Sequence, residues 1–313
     1  MAFSAFRGMK PFHQLLFSGF IILISFLSVT LLSILIAIPV FGIDSIINIP
    51  TINDIDNPES IRILKYFQVV QSIGLFIIPP IIIGWLFSEK LTEYLFLNRS
   101  ATKLSVVLAI FITILALPFI NFTGELNSRM ELPQWLSGVE SWMKNAEENA
   151  ALLTEAFLKV DTTRGLLFNL FMIALLPAIG EELLFRGVIQ KIFTSWTKNH
   201  HWGIWITAIL FSALHIQFFG FIPRMLLGVL FGYLLIWSGS IWLPVIAHFV
   251  NNGFAVLAIH FINKNLLDPK VENIGSTPDS YYSALISFVL VCVLLLIMKQ
   301  SNRDNIIQAE ATY

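Results

Sequence analysis

Three short stretches of the chain place ionisable or amide side chains inside long apolar runs. They read "EELLFR", "FSALH" and "HFVNN". Their polar members are Glu181, Glu182, Arg186, His215, His248 and Asn252. A charged side chain at bilayer depth costs roughly 2.5–3.5 kcal/mol even on the mild insertion scale, so such groups persist where they pair, bind or react. These six residues are therefore the candidates for chemistry.

The spacing of these residues predicts that they share a few helix faces and one depth. Glu182 and Arg186 are four residues apart, as are His248 and Asn252, so each pair lies on one face of a helix. With a rise of ~1.5 Å per residue, Glu181 lies ~15 Å and His215 ~18 Å from one membrane face. From the same face His248 lies ~10 Å and Asn252 ~16 Å deep, so the four groups lie at roughly one level. Helices that cross in opposite directions would therefore bring these groups together.

This set of residue types fits amide hydrolysis without a covalent nucleophile. Glu181 could act as a general base that draws a proton from water, and His215 could position and activate that water. His248 and Asn252 could donate hydrogen bonds to an oxyanion, while Arg186 pairs with Glu182. The sequence contains no GxSxG motif, so no serine nucleophile is indicated.

A metal-assisted version of the site fits the same residues. Glu181, His215 and His248 could supply three ligands, with water in the fourth position, as in catalytic zinc sites. The HExxH motif is absent, and these ligands would come from three different helices. Zinc-assisted and metal-independent mechanisms both remain open on these residues.

The elements that must position these side chains are membrane helices. Hydrophobic residues make up 56% of the 313 residues and charged residues 12%, about half the charge of soluble domains. Apolar runs near the ~20 residues that cross a bilayer lie at residues 15–41, 67–87, 104–122, 166–193, 203–219, 222–237, 241–263 and 281–299. Backbone groups in lipid must pair within their own segment, which predicts an all-α polytopic bundle of about eight transmembrane helices. The net charge of −1 gives no reason to expect a nucleic-acid partner.

The same pattern divides the chain into four parts. We predict N-terminal membrane helices over 1–122, a polar connector over 123–165, a membrane core that carries the site over 166–263, and a last span with a polar tail over 264–313. Apolar residues in the connector recur at helical spacing, which predicts an amphipathic helix: Leu152, Leu153, Ala156, Phe157 and Val160. This helix would lie on a membrane surface or pack on the protein itself.

Three smaller features give further expectations. Pro177 cannot donate to the carbonyl of Ile173, so the helix should bend or loosen just before Glu181. Arg224, near the start of the sixth span, is expected to snorkel to the membrane interface. The distribution of Lys and Arg among short loops favours cytoplasmic termini.

The three motifs in series resemble a known family. Glu181-Glu182-x-x-x-Arg186, Phe211-x-x-x-His215 and His248-x-x-x-Asn252 are similar to the EExxxR, FxxxH and HxxxN motifs of the CAAX-protease and bacteriocin-processing family, also called CPBP or Abi. The resemblance covers roughly residues 165–262 and leaves the first three spans and the connector aside.

The resemblance implies an eight-helix intramembrane endopeptidase. It implies that Glu181 and His215 activate water, that His248 and Asn252 form the oxyanion site, and that Glu182 and Arg186 support them. The expected protein is an integral multi-pass protein of a prokaryotic cell membrane, whose partners are lipid and a peptide or membrane-protein substrate. The alternatives are a non-proteolytic immunity or scaffold protein and a proton-coupled transporter, since Glu and His chains also relay protons.

Overall fold

The computed structural model describes residues 6–303, 305 and 307, and these residues form a helical bundle without strands. The remainder of the polar tail predicted within 264–313 lies outside the described residues. The longer helices are α1 (Pro11–Phe41), α2 (Pro58–Phe87), α3 (Lys103–Leu115), α4 (Leu117–Ser128), α5 (Ser137–Leu158), α6 (Thr163–Thr197), α7 (His200–Ala213), α8 (Phe221–Ser238), α9 (Trp242–Asn263) and α10 (Tyr281–Ser301). Single helical turns connect them at Ile43–Ile47, Ile52–Asp54, Leu91–Tyr94, Gln134–Leu136, Pro269–Asn273 and Pro278–Ser280.

Six of the described helices, α1, α2, α6, α8, α9 and the one containing α10, are long and apolar enough to cross a membrane. The α3–α4 pair is bent by 43° at the junction before Leu117 and Pro118, the first two residues of α4, and it makes a seventh if it forms one span. The chain is thus an integral multi-pass membrane protein, and the predicted all-α polytopic class is confirmed.

The predicted count of eight spans is close, and the difference lies in the fifth. We expected a span over 203–219, but α7 ends at Ala213 after 14 residues. At ~1.5 Å per residue this helix is ~21 Å long, short of the ~30 Å hydrocarbon core. His215 consequently lies just beyond the end of a short helix.

The second helix begins earlier than its apolar run. The apolar run at 67–87 predicts a helix that begins near residue 67, but α2 begins at Pro58. The Asn57 side chain accepts a hydrogen bond from the backbone N–H of Glu59, and Pro58 occupies the first helical position. Both residues are typical of a helix start, and polar residues continue through the first turn.

Two groups of buried apolar side chains hold the bundle together. One packs α6 against α2 and the residues around Leu95, with Ile83, Val188 and Ile192 fully or almost fully buried. The other joins α3, α8, α9 and α10 through residues that include Leu108, Ile112, Phe231, Leu243 and Met298. The two groups flank α6 and α9, the helices that carry most of the predicted site.

The connector helix α5 is packed on the protein at its C-terminal end. Phe157 and Leu158 are buried, and the Phe157 carbonyl accepts hydrogen bonds from Lys65 of α2 and Asn169 of α6, both of 2.8 Å. Trp142, nearer the start of α5, remains about half exposed. Of the two expected placements, packing on the protein therefore holds for this end of the helix.

Candidate active site

The predicted site residues face one cavity of about 620 Å³, which is bounded by α2, α5, α6, α8, α9 and the end of α7. Glu181, His215, His248 and Asn252 all line it. These four side chains come from three separate stretches of the sequence. The matched depths predicted from helical rise correspond to a shared cavity in the fold.

The geometry of the site centres on one oxygen of Glu181. Its Oε2 lies 4.0 Å from Nε2 of His215 and 3.9 Å from Nε2 of His248. The Glu181 side chain is 11% exposed, and no partner of Oε2 among the described residues is closer than these two rings. The carboxylate oxygen and the two imidazole nitrogens therefore surround one small volume at the wall of the cavity.

The tautomer of His215 follows from its helix. Its Nδ1 lies 2.7 Å from the carbonyl oxygen of Phe211, four residues earlier. A carbonyl oxygen only accepts hydrogen bonds, so Nδ1 carries the proton. In the neutral ring Nε2 then has a free lone pair, and this is the nitrogen on the Glu181 side.

His248 is held from the opposite side by Glu182. Its Nδ1 lies 2.8 Å from Oε1 of Glu182, and its ring is stacked on Phe231 with centroids 5.1 Å apart. The carboxylate accepts the Nδ1 proton, which leaves Nε2 directed into the cavity. Glu182 thus orients the histidine, much as second partners orient histidines in other sites.

Arg186 neutralises Glu182 in the packed interior. Its Nε lies 3.1 Å from Oε2 of Glu182, which makes an ion pair although the N–H is not aligned for a hydrogen bond. Its Nη2 donates to the Gly228 carbonyl at 3.1 Å. The guanidinium also lies 4.6 Å from the Phe211 ring centroid and 5.5 Å from that of Phe231, so aromatic faces cover it.

Asn252 has a structural contact that the spacing did not reveal. Its Nδ2 donates to the Ile173 carbonyl at 3.1 Å, and its Oδ1 accepts from Asn251 at 3.0 Å. The Ile173 carbonyl is the one that Pro177 cannot satisfy. Since the Asn252 amide nitrogen carries two hydrogens, one remains for another acceptor in the cavity.

Helix α6 is loosened on both sides of this point. Residues Leu170–Leu175 and Glu182–Ile189 form π-helical turns, which flank the α-helical Leu176–Glu181. The predicted loosening before Glu181 is confirmed, whereas the second π segment carried no sequence signal. Such segments are common at functional sites because they expose backbone groups and shift side-chain directions.

Sequence reasoning missed the residues that seat α6 on α8. Gln190 lies four residues after Arg186, and its side chain donates to the Gly232 carbonyl at 3.3 Å. This contact is next to that of Arg186 with the Gly228 carbonyl. A Cβ on Gly232 would lie 2.8 Å from the Gln190 side chain. The four-residue spacing of Gly228 and Gly232 is typical of closely packed helices, but only the structure shows which side chains lie against these glycines.

Arg224 was expected at the membrane interface, and that expectation is wrong. The residue lines the cavity together with Glu181 and His215. Its guanidinium donates to the side-chain oxygen of Gln217 at 2.7 Å and to the Gln217 carbonyl at 3.3 Å. The 217–223 turn folds back over the end of α7, and this turn draws the side chain inward.

The side chains as placed do not make a metal site. Among residues 6–303, 305 and 307, no group of three or more His, Cys, Asp or Glu side chains has metal-holding geometry. Zinc bonds of ~2.0–2.1 Å in a tetrahedron place ligand atoms ~3.3–3.4 Å apart. The separations of 3.9 and 4.0 Å around Glu181 are wider, so no catalytic step is derived through zinc.

Comparison with known proteins bears directly on this segment. The model of the family described as type II CAAX prenyl endopeptidase Rce1-like matches residues 163–254, which contain all six candidate residues. This stretch of the chain is therefore similar to that family. The match confirms the resemblance indicated by the three motifs.

Two curated relatives align with part of the chain. The uncharacterized protein YpbD of Bacillus subtilis (strain 168) is 30% identical over 111 residues, which cover 34% of this chain and 54% of the relative. An uncharacterized 24.3 kDa protein of Escherichia coli is 33% identical over 89 residues, or 26% of this chain and 40% of the relative. The chain thus spans about half the length of these relatives. No solved structure matches.

Proposed function

We propose that the protein is an intramembrane endopeptidase that hydrolyses a peptide bond of a membrane-associated peptide or protein. The observation that carries the proposal is the approach of two imidazole nitrogens to one oxygen of Glu181, at 3.9 and 4.0 Å. Two hydrogen bonds of ~2.8 Å that meet at ~90° join atoms ~4 Å apart. One water molecule bonded to all three groups therefore fits this spacing.

Glu181 is the general base of the proposed reaction. Its carboxylate takes a proton from the water, and the lone pair on Nε2 of His215 holds the second hydrogen of that water. The water oxygen attacks the peptide carbonyl carbon, and a tetrahedral intermediate forms. Glu181 then returns the proton to the amide nitrogen as the C–N bond breaks, so the carboxylate is regenerated.

His248 and Asn252 stabilise the negative oxygen of the intermediate. Nδ1 of His248 is bonded to the Glu182 carboxylate, so Nε2 faces the cavity and, when it carries a hydrogen, donates that hydrogen to the oxyanion. Asn252 adds the amide hydrogen that Ile173 leaves free. Glu182 acts as a positioning residue because it contacts His248, and Arg186 acts through its ion pair with Glu182.

The lining of the cavity supports water as the nucleophile and an apolar substrate. Thr154 is the only lining residue with a hydroxyl group, and Cys292 is not among the lining residues. The apolar side chains that line the cavity include Leu153, Phe157, Met172 and Leu227. Such walls favour a peptide segment rich in apolar side chains.

Substrate trapping tests the proposal. The full-length Glu181→Gln protein and the wild type would be crosslinked in native membranes, and the captured peptides and their termini identified by mass spectrometry. His260→Gln is the matched control, since His260 is on α9 but does not line the cavity. We expect Glu181→Gln to accumulate intact segments whose cleaved forms appear only with the wild type and the control.

Two results would contradict the proposal. If neither protein enriches a peptide and no new termini depend on Glu181, the protein is not a peptidase, and a non-proteolytic scaffold role is favoured. If Glu181→Gln instead abolishes a proton flux in liposomes while termini stay unchanged, the residues serve proton-coupled transport.

A further inference from the structure

We propose that Arg224, fixed by Gln217, binds a carboxylate of the substrate. This inference rests on the proposed function and assigns a specificity residue to the same cavity. Arg224 and Gln217 both line the cavity that contains Glu181 and His215. The ligand chemistry is a carboxylate, carried either on a free C-terminus or on an acidic side chain close to the scissile bond.

The guanidinium of Arg224 makes no salt bridge with an acidic side chain among the described residues. Within residues 6–303, 305 and 307, no carboxylate oxygen lies within 4.0 Å of it. Glu147, an acidic residue of the covering helix α5, instead accepts the backbone N–H of Phe219 at 3.2 Å. An unpaired charge in a membrane protein is costly, and such groups mark the places where ligands bind.

Arg224 is also held in place before any substrate arrives. Gln217 takes two of its N–H groups, at 2.7 and 3.3 Å, and leaves the others unassigned. Gly220 lies behind the guanidinium, since a Cβ at that position would be 3.2 Å from Nη2. A fixed planar guanidinium is suited to bidentate binding of a carboxylate, because less side-chain freedom is lost on binding.

The position of Arg224 in its helix points the same way. It occupies the first turn of α8, which begins at Phe221 and contains no acidic residue in that turn. A cation is disfavoured there, because helix N-termini carry partial positive charge. Its placement is therefore explained by an incoming anion that both the guanidinium and the helix end attract.

The cavity thus contains two charged side chains of opposite role. Glu181, with the two histidines, is placed to cut the bond, and Arg224 is placed to hold the negative end of the substrate. A peptide segment with apolar side chains between its scissile bond and its carboxylate would match the lining. The proposal predicts that cleavage depends on that carboxylate.

Peptide cleavage by the full-length protein in liposomes tests this prediction. Two pairs of quenched fluorogenic peptides would share one apolar core. The first pair differs only in having a free C-terminal carboxylate or its amide. The second pair differs only in having an internal Glu or Gln one to four residues after the scissile bond. Wild type should favour one of the two carboxylate forms by roughly tenfold to a hundredfold in kcat/KM, as expected for a charged hydrogen bond. The preferred arm shows whether the carboxylate is terminal or internal.

The variants assign that preference to the arginine. Arg224→Met should raise KM for the preferred peptide by roughly tenfold or more, so that the ratio of kcat/KM between the preferred and the uncharged peptide falls toward one. Arg224→Lys should keep part of the preference, and Gln217→Leu should reduce it without removing it. Arg62→Met is the control, because Arg62 is exposed, pairs with Glu59 and does not line the cavity.

Failure of this inference can be told from failure of the proposed function. If wild type cleaves acid and amide peptides equally, or if Arg224→Met lowers both to the same extent, the carboxylate site is refuted while hydrolysis stands. If wild type cleaves none of them, binding of the same peptides to Glu181→Gln protein is measured by photocrosslinking. Equal capture of acid and amide forms there would also refute the site.

Discussion

Glu181 and Glu182 are neighbours of the same type, yet they belong to two different layers of the site. The inner layer consists of Glu182, Arg186 and Nδ1 of His248. The Glu182 side chain is 0% exposed and the Arg186 side chain 1% exposed. The cavity layer consists of Glu181, His215 and Nε2 of His248, where Glu181 is 11% and His215 30% exposed. Successive residues of a helix point ~100° apart, which suffices to separate the layers.

The inner layer contains an ion pair of 3.1 Å and a hydrogen bond of 2.8 Å between its members, whereas Glu181 in the cavity layer lies 3.9 and 4.0 Å from the two imidazole nitrogens. In the inner layer charge meets opposite charge, so the layer stabilises the fold and fixes one imidazole. In the cavity layer, Oε2 of Glu181 and the Nε2 atoms of His215 and His248 have no hydrogen-bond partner among the described residues. Groups left in this state are available to a substrate, and the following predictions separate the two behaviours.

The largest expected effect is on turnover, from Glu181→Gln. Removing the general base should lower peptide hydrolysis by about 10³-fold. The unfolding temperature should stay the same or rise, because the buried carboxylate has no close cation to lose. Product formation and thermal unfolding would be measured on the same preparation. A fall in stability as large as that of an inner-layer variant would erase the distinction between the layers.

The next largest effect is on stability, from Arg186→Met. This change leaves the Glu182 carboxylate buried without its cation, which should cost about 3–5 kcal/mol. Adding Glu182→Gln should recover part of that loss, as measured by unfolding in detergent. The control is Arg129→Met, which breaks an exposed pair with Glu125 of the same four-residue spacing. That control should cost less than about 1 kcal/mol, and equal losses at both sites would contradict the role given to burial.

His248→Gln should affect both layers, because the ring joins them. Activity should fall by roughly 10²-fold through loss of an oxyanion donor. Stability should fall by about 1–3 kcal/mol, because Glu182 loses a charge-assisted hydrogen bond. Kinetics and unfolding are compared with His260→Gln on the same helix. An effect on activity alone would assign Glu182 no part in holding the ring.

The smallest expected effect concerns Asn252, whose two roles can be separated. Asn252→Ala should lower activity by about tenfold and stability by about 1 kcal/mol, since the Ile173 carbonyl loses its donor. Adding Pro177→Ala supplies a backbone N–H for that carbonyl, so the double variant should regain stability. Recovery of activity along with stability would argue against an oxyanion contact by Asn252.

Much of the architecture is predictable from sequence because lipid imposes simple rules. Apolar runs of about 20 residues located most of the membrane helices, and motif spacing placed Glu181, His215 and His248 together. The short helix α7 was missed because its apolar composition continues past Ala213, where the chain leaves the helix. Composition sets where a helix can lie, but it does not set where the helix ends.

The partners of the polar residues were less predictable, for a physical reason. Arg224 was assigned to the interface from its position near a span end, yet Gln217, seven residues away on a turn, holds it inward. Gln190 gave no signal, because its acceptor is a backbone carbonyl of Gly232, which no residue type reveals. Contacts between side chains and backbone depend on how helices are rotated against each other, and that rotation is set by the whole bundle.

The π turns of α6 give the spacing within this helix an unusual meaning. Each wide turn accommodates an additional residue in nearly the same axial length. Deleting one residue from Leu170–Leu175 would thus barely shorten the rod, but would rotate all that follows by ~100° relative to what precedes it. The carboxylates of Glu181 and Glu182 would then face different neighbours, although every residue of the motifs was retained. In this segment, an insertion or deletion changes the direction in which the following side chains point much more than it changes the length of the helix.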